Sequence, residues 1–345
     1  MKGKNNITYS SGLTLVELMI GLVLSLMILG GAVSIFMSSK ESFRLEEDLS
    51  VLQESFRFIA DKINKDISMV GYSGCAMPYV NNTPTVDVYV NGLGVTDVIQ
   101  GTEGGAGPDS ITVSYALPGT GIPVVEGAAS RADPLRVTQN STLYQQLADN
   151  FDTSKTPTPQ PITVLVGNCD RANIFLVSGV ANTTSANFPT AGEIFHWDAY
   201  DPGHPDDVDG QAAVSIAGVE NSSGELSERY GAIGEETSFV YGVGSVTYEI
   251  ATVSGVTGLY ESRNGGTRQL LFDNVTDMQV LYGIDSPAAD DGNADRYVSW
   301  SGGLRLSDIT SLKILLTMVI SQVGTNDVTQ DFEFTVKLRN MGLDA

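Results

Sequence analysis

The sequence predicts an α+β fold in which one long N-terminal α-helix packs on an antiparallel β-sheet that carries a large β-rich insertion. Two observations predict it. An apolar run, Leu13 to Met37, continues without proline into an amphipathic pattern that reaches Val70. After Gly71, short runs rich in β-branched and aromatic residues alternate with Gly, Pro, Asn and Asp, as in strands and turns. One helix stripe and one sheet face supply the two layers that a core requires.

The first half of the helix has the length and composition of a membrane span. Leu13 to Met37 contains one charged residue, Glu17. A helix of this length covers roughly 37 Å, enough to cross a hydrocarbon layer of about 30 Å with some tilt. The preceding residues 1–12 carry Lys2 and Lys4 and no acid. The positive-inside rule therefore keeps this leader in the cytoplasm and places the chain after Met37 outside it.

Three other interpretations of the apolar run compete with this one. A buried core helix is disfavoured because the run is long and apolar on all sides. A plain single-span anchor fits the length but gives Glu17 no role, although an intramembrane carboxylate is costly and indicates function. A secretory signal cut near Ser34 is disfavoured because the apolar run is too long and the helical pattern continues beyond it.

The second half of the helix is amphipathic. Apolar residues recur at helical spacing on one stripe, which is formed by Leu45, Leu49, Leu52, Phe56, Ile59, Ile63, Ile67 and Val70. Charged residues occupy the other face, where Asp61 and Lys65 stand four residues apart and support the helix. Gly71 is a natural stop. The pattern predicts one helix from Leu13 to Val70, about 87 Å long, with residues 13–37 spanning the membrane and residues 38–70 amphipathic.

The start of this helix resembles a processing motif. Gly12, followed by Leu13-Thr14-Leu15-Val16-Glu17-Leu18-Met19, is similar to the cleavage site of type IV prepilins and pseudopilins. The resemblance implies that a membrane peptidase cuts after Gly12 and methylates Leu13, and that Glu17 is the glutamate at the fifth mature position. Leu13 departs from the usual Phe or Met. Glu17 could then pair with the Leu13 amine of a neighbouring subunit, so that both charges are neutralised in an apolar filament core.

Three further segments resemble the PilW-type minor pilins. They are Phe56 to Cys75, which contains Asp66, Ile67, Gly71, Tyr72 and Gly74, then Asn274 to Tyr297, and finally Phe332 to Asn340. About 160 central residues match nothing in that family. The resemblance implies a pilin-like fold and a low-abundance subunit that primes pilus assembly and sits in the tip complex. A type II secretion minor pseudopilin is the near alternative, although the heads of those proteins are usually much smaller.

The resemblance also implies partners and a location. The partners are other minor pilins, the major pilin, a large tip adhesin, the prepilin peptidase and the inner-membrane assembly platform. The chain would be a single-pass protein of the bacterial inner membrane with its head in the periplasm, and then part of the pilus tip on the cell surface. It would act by helix bundling and head contacts, with no cofactor and no enzymatic activity.

Export of the head bears on the two cysteines. Cys75 and Cys169 are the only cysteines in the chain. In an oxidising compartment two such residues are expected to bond to each other, whereas in the cytosol they would be buried thiols. The sequence therefore predicts a disulfide that joins the helix end to the insertion.

The domain organisation follows from the same patterns. We predict a leader at 1–12, the long helix at 13–70, a large β-rich insertion at 71–235 and the antiparallel sheet with the C-terminal region at 236–345. The predicted strands are Ile111–Leu117, Ile162–Val166, Ile174–Val180, Phe239–Ile250, Gly258–Arg263, Arg268–Ile284, Leu312–Ser321 and Phe332–Leu338.

The charge balance argues against nucleic acid as a partner. The chain has 19 Lys and Arg against 41 Asp and Glu, a formal net charge of −22. The basic residues are scattered, and the nearest pair, Lys62 and Lys65, stands beside Asp61 and Asp66. Such a surface repels phosphate backbones.

Two acidic segments contain residue types that bind metal ions. Phe195 to Gly210 holds both histidines, His196 and His204, among aspartates, but their spacing matches no standard ligand set. Asp285, Asp290, Asp291 and Asp295 have the composition of a calcium loop but fail the EF-hand register, because Pro287 and Ala289 would take the first and third ligand positions. We predict no metal and keep these four aspartates as weak candidates.

The sequence contains no arrangement of nucleophile and base. The rival of a different class is a membrane-tethered periplasmic binding or hydrolytic domain that uses the Asp/His loop. Such a protein needs neither cleavage at Gly12 nor a carboxylate at Glu17, whereas a filament subunit needs both.

Overall fold

The structure is a computed structural model. This structure describes residues 15–74, 79–80, 83–84, 86–88, 90–91, 98–126, 130–139, 141–152, 154–155, 160–183, 191–196, 220–221, 225–227, 229–231, 237–285, 292–301, 304, 308–320 and 327–339. The chain forms two compact units, one ending at Phe56 and the other beginning at Arg57, so the division falls within the first helix. The architecture is α+β, as the sequence predicts.

The long helix α1 is one continuous element, Leu15–Ser68. Its 54 residues correspond to about 81 Å. The last turn tightens, since the Met69 and Val70 amides donate to the carbonyl groups three residues earlier. Gly71 then takes a left-handed φ of +72°, which glycine adopts without a steric penalty and which ends the helix. The predicted helix is confirmed over the residues that the structure describes.

Twenty strands and a second helix are described after α1. They are β1 Tyr79–Val80, β2 Thr83–Pro84, β3 Val86–Val88, β4 Val90–Asn91, β5 Ile99–Thr102, β6 Ser110–Ala116, β7 Ile122–Glu126, β8 Leu135–Thr138, α2 Thr142–Phe151, β9 Thr163–Gly167, β10 Ala172–Leu176, β11 Gly179–Thr183, β12 Ala191–Phe195, β13 Glu220–Asn221, β14 Phe239–Val253, β15 Val256–Arg263, β16 Gln269–Asp273, β17 Val275–Ile284, β18 Arg296–Val298, β19 Ile309–Ile320 and β20 Val328–Lys337.

The larger sheet is built around β14. Its main path runs β11-β12-β8-β7-β14-β9-β10-β3, and β14 also pairs with β6 and β15, which in turn pair with β5 and β16. All these pairs are antiparallel except β10 with β3. β14 has fifteen residues, so different parts of it pair with different neighbouring strands. Strands of the predicted insertion, 71–235, and of the predicted C-terminal region, 236–345, therefore belong to one sheet.

The smaller sheet has four described strands in the order β18-β17-β19-β20. β17 and β19 alternate between fully buried and half-buried residues, the period-2 pattern of a sheet with one face on the core. β20 pairs with β19 along its whole length without a register shift, from Ile320↔Val328 to Ser311↔Lys337.

The helix α2 was not predicted. Ser141 caps it by accepting a hydrogen bond from the Tyr144 amide. Its buried apolar residues, Leu143, Tyr144 and Leu147, pack in a core cluster with Val137, Phe175 and Ile194 of the larger sheet, among others.

Two predicted strands are each divided in two. The run Ile174–Val180 covers the end of β10 and the start of β11, because the backbone changes partner between Val177, which donates to Ile162, and Ser178, which donates to Phe195. The run Arg268–Ile284 is divided at Asn274, where φ is +61° and the chain leaves the larger sheet for the smaller one. The other predicted strands are confirmed to within a few residues.

Candidate functional site

The apolar half of α1 lies on the surface of the unit that contains it. Every side chain from Leu15 to Met37 is exposed. Within the described residues α1 is the one helix that is long and apolar enough to cross a membrane. Ser25, a polar residue in this run, donates its hydroxyl to the Gly21 carbonyl one turn earlier, so the group is satisfied inside the helix. An apolar surface of this extent indicates burial in lipid or among other helices.

Glu17 lies in the first turn of α1, on this otherwise apolar surface. The position is electrostatically favourable, because the N-terminal end of a helix carries a partial positive charge. Gly12 and Leu13, the residues of the predicted cleavage, lie outside the described part of the chain. Cleavage and methylation therefore remain predictions, as does the pairing of Glu17 with a neighbouring subunit.

The end of α1 that belongs to the second unit is packed against the head. Ile59, Ile63, Ile67 and Val70 are all 0% exposed, so this part of the predicted stripe is confirmed as core. Burial of four such side chains contributes several kcal/mol of hydrophobic free energy, at roughly 1.5–3 kcal/mol each.

Asp66 lies at the border of this stripe and is only 6% exposed. Its Oδ1 accepts a hydrogen bond from the Tyr115 hydroxyl of β6 at 2.8 Å. Its Oδ2 accepts one from the Tyr248 hydroxyl of β14 at 2.5 Å and one from the Arg263 guanidinium of β15 at 3.0 Å. One carboxylate thus joins the last turn of α1 to three neighbouring strands of the larger sheet.

A second ion pair lies one turn earlier on the helix. The Lys62 ammonium group is 3.0 Å from the Glu261 carboxylate of β15, which is itself buried. Arg263 also approaches Glu261, at 3.4 Å, so it lies between the two acids. We call these six residues the helix-anchor cluster: Lys62, Asp66, Tyr115, Tyr248, Glu261 and Arg263.

The cluster keeps its two tyrosines in the hydroxyl form. Burial, together with the hydrogen bond to Asp66, raises the pKa of Tyr115 to about 12. The same two causes, in the same order, raise the pKa of Tyr248 further. Both side chains are therefore donors at neutral pH, and a charged carboxylate is the acceptor that two donors and a guanidinium require.

Steric constraints explain why glycine occupies the turn that follows the helix. Gly74 has a φ of +85°, and a Cβ at this position would come within 2.6 Å of the Tyr241 ring. Between Gly71 and Gly74, the Tyr72 carbonyl accepts a hydrogen bond from the Ala116 amide at 2.7 Å. This turn therefore packs closely on β6 and β14 beside the helix-anchor cluster.

The structure leaves the predicted disulfide as a prediction. Cys75 lies outside the described residues. Cys169 lies in the tight turn between β9 and β10, where the Asn168 side chain accepts hydrogen bonds from the Asp170 and Arg171 amides.

The structure describes two of the four aspartates that were predicted as weak calcium candidates, Asp285 and Asp295. Asp285 directly follows β17 and is buried. Its Oδ2 accepts a hydrogen bond from the Gly292 amide at 2.7 Å, and its Oδ1 has no hydrogen-bond partner. The Asp295 amide donates to the Ile284 carbonyl nearby. Asp290 and Asp291 lie outside the described residues. Among those that are described, no three His, Cys, Asp or Glu side chains are grouped so as to hold a metal ion.

The histidine segment gives no stronger case for a metal. His196 is fully buried at the end of β12, with Nε2 3.0 Å from the Asp133 carbonyl and its ring edge-on to Phe175. His204 and its neighbouring aspartates lie outside the described residues. One nitrogen of His196 is therefore engaged in a core contact.

The sequence analysis does not predict the helix-anchor cluster, although Asp66 belongs to the segment that resembles the PilW-type proteins. The available signal is its position. Asp66 falls three residues after Ile63 and four before Val70, within the apolar spacing of the stripe, where an acid is unexpected. Its tyrosine and arginine partners stand 49 to 197 residues away in the chain, so no local pattern identifies them.

Comparison with known proteins finds one family match. The family model of the type IV pilus-assembly protein W matches residues 241–342, from β14 to just beyond β20. The description of that family names an assembly role and no reaction. No curated protein and no solved structure is significantly similar to the chain. The match covers less than a third of the chain, and together with the single candidate membrane helix it supports a membrane-anchored role in type IV pilus assembly.

Proposed function

We propose that the chain is a minor pilin that primes assembly of a type IV pilus and then sits in the tip complex. The observation that carries the proposal is the presence of two pilus features at opposite ends of one chain. At the N-terminal end, α1 exposes an apolar surface with Glu17 in its first turn. At the C-terminal end, residues 241–342 match the pilus-assembly family.

In this role the apolar half of α1 has two successive environments. It first spans the inner membrane, with the head in the periplasm, and then packs among the helices of neighbouring subunits. Both environments bury the same apolar side chains, so transfer between them needs no refolding of the helix. Glu17 makes the second environment specific if it pairs with the methylated amine of Leu13 on a neighbouring subunit.

The proposed partners follow from this role. Helix bundling would involve other minor pilins and the major pilin, whereas the head would contact a large tip adhesin. The prepilin peptidase and the inner-membrane assembly platform would act before and during incorporation. The rest of the head would serve recognition, because its long insertion is rich in the loops in which binding residues tend to lie.

The decisive experiment is the intact mass of the mature protein, purified from its native membrane. We expect residues 13–345 with one added methyl group. Gly12→Val should leave the leader attached and abolish the protein's contribution to piliation, whereas the matched substitution Gly3→Val in the same leader should be processed normally. A mature protein that still begins at Met1, or one cut near Ser34, would contradict the proposal.

A further inference from the structure

The last strand of the smaller sheet, β20, is an edge strand among the strands that the structure describes. β20 has ten residues and pairs with β19 alone among the described strands. The other described strands at sheet edges, such as β18, β3 and β16, have three to five residues. A long edge strand offers a row of backbone donors and acceptors to any other extended chain, and proteins usually shorten, cover or charge such edges.

The direction of the backbone groups on β20 follows from the ladder. The Leu338 amide donates to the Thr310 carbonyl, while the Val319 amide donates to the Asn274 carbonyl on the β17 side. Because hydrogen-bonded pairs alternate along an antiparallel ladder, the even-numbered residues of β20 bond to β19. The amides and carbonyls of its odd-numbered residues point away from β19, toward the open edge. These residues are Thr329, Asp331, Glu333, Thr335 and Lys337, and their side chains are exposed.

The two faces of β20 carry side chains of different kinds, charged on one face and apolar on the other. On the exposed face, Asp331 and Glu333 are followed by Lys337 and then by Arg339 just past the strand end. On the other face Phe332 and Phe334 are half-buried, and Val336 and Leu338 are buried. An added strand would cover the two aromatic rings further and would place its own charges directly opposite those of β20, where opposite signs stabilise and like signs destabilise the pair.

We propose that this edge, which we call the β20 edge, binds an extended strand of a partner protein by antiparallel strand addition. In the register centred on Thr335, the partner strand carries acidic residues opposite Arg339 and Lys337 and basic residues opposite Glu333 and Asp331. Its alternate residues are apolar and lie beside Phe332 and Phe334. Main-chain hydrogen bonds supply affinity in this mode, and the side-chain pattern supplies specificity.

The partner is a different protein rather than a second copy. Read from its N-terminus, the complementary strand has two acidic residues followed by two basic ones, which is also the order in β20. A second copy would match this local pattern, but it would bring a further net charge of −22 to a chain that already carries −22. Self-repulsion of this size opposes association of two heads, so a partner of lower negative charge fits the β20 edge better. The inference does not depend on the proposed pilus function.

The probe for the test is a fluorescent peptide that copies residues 331–339, because this sequence has the charge order that the β20 edge requires. A control peptide exchanges the acidic and basic positions and keeps the apolar ones. Binding to the full-length chain in detergent micelles is measured by fluorescence anisotropy. We expect the copy peptide to bind at least tenfold more tightly than the control. Equal binding of the two peptides, or no binding of either, would overturn the proposal and leave the charges as protection of the edge.

Two variants test the site itself. Thr335→Pro removes an amide that points away from β19 and leaves the β19 ladder intact, which is the arrangement in which an edge strand accepts proline; it should weaken copy-peptide binding at least tenfold. Thr335→Val keeps the amide and should bind as the wild type does. If the proline variant does not fold, Glu333→Lys and its control Glu333→Gln test the same site. We expect Glu333→Lys to lose binding of the copy peptide and Glu333→Gln to retain it. Unchanged binding in Thr335→Pro and Glu333→Lys would refute the site.

A separate experiment tests whether a second copy of the chain binds the β20 edge. Sedimentation of the full-length chain should show one protomer per micelle for the wild type and for Thr335→Pro. A wild-type dimer that Thr335→Pro converts to a monomer would overturn the choice of a different protein and assign the β20 edge to self-association.

Discussion

Asp66 is the residue on which the contact between the helix end and the larger sheet is centred. A carboxylate removed from water is costly unless it is fully hydrogen-bonded, and here two hydroxyls and one guanidinium meet it. The neighbouring apolar residues of α1 could pack on the sheet at more than one height. The hydrogen bonds of Asp66 fix a single position, because they require each donor to lie within about 3 Å.

Substitution of Asp66 tests this role. Asp66→Ala leaves two buried tyrosine hydroxyls without an acceptor, each costing about 1–3 kcal/mol. We therefore expect the free energy of unfolding of the head to fall by roughly 2–5 kcal/mol, since Arg263 is half exposed and can turn to water. Asp61→Ala is the matched control on the exposed face of the same helix, with an expected effect of about 0.5 kcal/mol or less. Chemical denaturation of both variants in the same detergent gives the comparison, and equal stabilities would exclude the anchoring role.

Tyr115 adds a pH dependence to the same cluster. Burial and the hydrogen bond to Asp66 raise its pKa in the folded state to about 12, above the ordinary value of about 10 for a tyrosine. The protonated form is thus favoured by folding, so this contribution is fully present below pH 10 and is lost as the pH rises through about 12. In Tyr115→Phe the free energy of unfolding should fall less between pH 9 and pH 11.5 than in the wild type. A Tyr115→Phe profile identical to that of the wild type would contradict this contribution.

At the scale of the elements, periodicity predicted the long helix and the longest strands, but it missed α2 and the shorter strands. The spacing of apolar residues identified α1 from end to end within the described range, and β-rich runs identified β6, β9, β14, β15, β19 and β20. Runs in which the chain changes its pairing partner were predicted as single strands. Periodicity reports that residues are extended and buried, but it carries no information about which strand they pair with. The Asn274 turn is one such place, since asparagine enters the left-handed region without the signal that a glycine would give.

The helix α2 was missed for a different reason. It has only ten residues and lies in a polar, turn-rich part of the chain. A signal was present, because Ser141 precedes Leu143, Leu147 and Phe151, which recur every four residues. Likewise, tertiary pairs such as Asp66 with Tyr248 depend on the assembled sheet, so the helix-anchor cluster could not be derived from the sequence beyond its one acidic member.

A disulfide between Cys75 and Cys169 would link the turn after α1 to the β9–β10 turn. Closing a loop of about 93 residues stabilises a protein by roughly 4–5 kcal/mol in the chain-entropy model, and measured gains are often smaller. We expect the oxidised wild type to be two mass units lighter than its reduced form and to resist alkylation until it is reduced. Cys75→Ser and Cys169→Ser should each lower the unfolding temperature by the same amount as the double variant. Two thiols that react with iodoacetamide in the folded, exported protein would disprove the link.

The molecule as a whole has two chemically opposed parts. The exposed apolar run of α1 carries one charged residue between Leu15 and Met37, whereas the chain in total carries −22. A strongly charged head cannot follow the helix into lipid, so the charge distribution itself holds the protein at one depth in the membrane. The same acidic surface disfavours association of heads with one another. In the proposed function, helix packing and local contacts such as the proposed β20 edge would then select the partners.

Glu17 is where membrane insertion and filament assembly make opposite demands. In lipid a charged side chain is unfavourable by about 2.5–3.5 kcal/mol, so Glu17→Gln should insert at least as well as the wild type. In the proposed function the carboxylate pairs with the Leu13 amine of a neighbouring subunit in the filament core, so the same variant should be incorporated at least tenfold less. This is measured by its amount in sheared pili relative to membranes. Glu41→Gln, on the same helix beyond the apolar run, controls for loss of a glutamate and should be incorporated normally. Wild-type incorporation of Glu17→Gln would show that the carboxylate serves another purpose, whereas a loss from the membrane fraction would show that it acts in insertion.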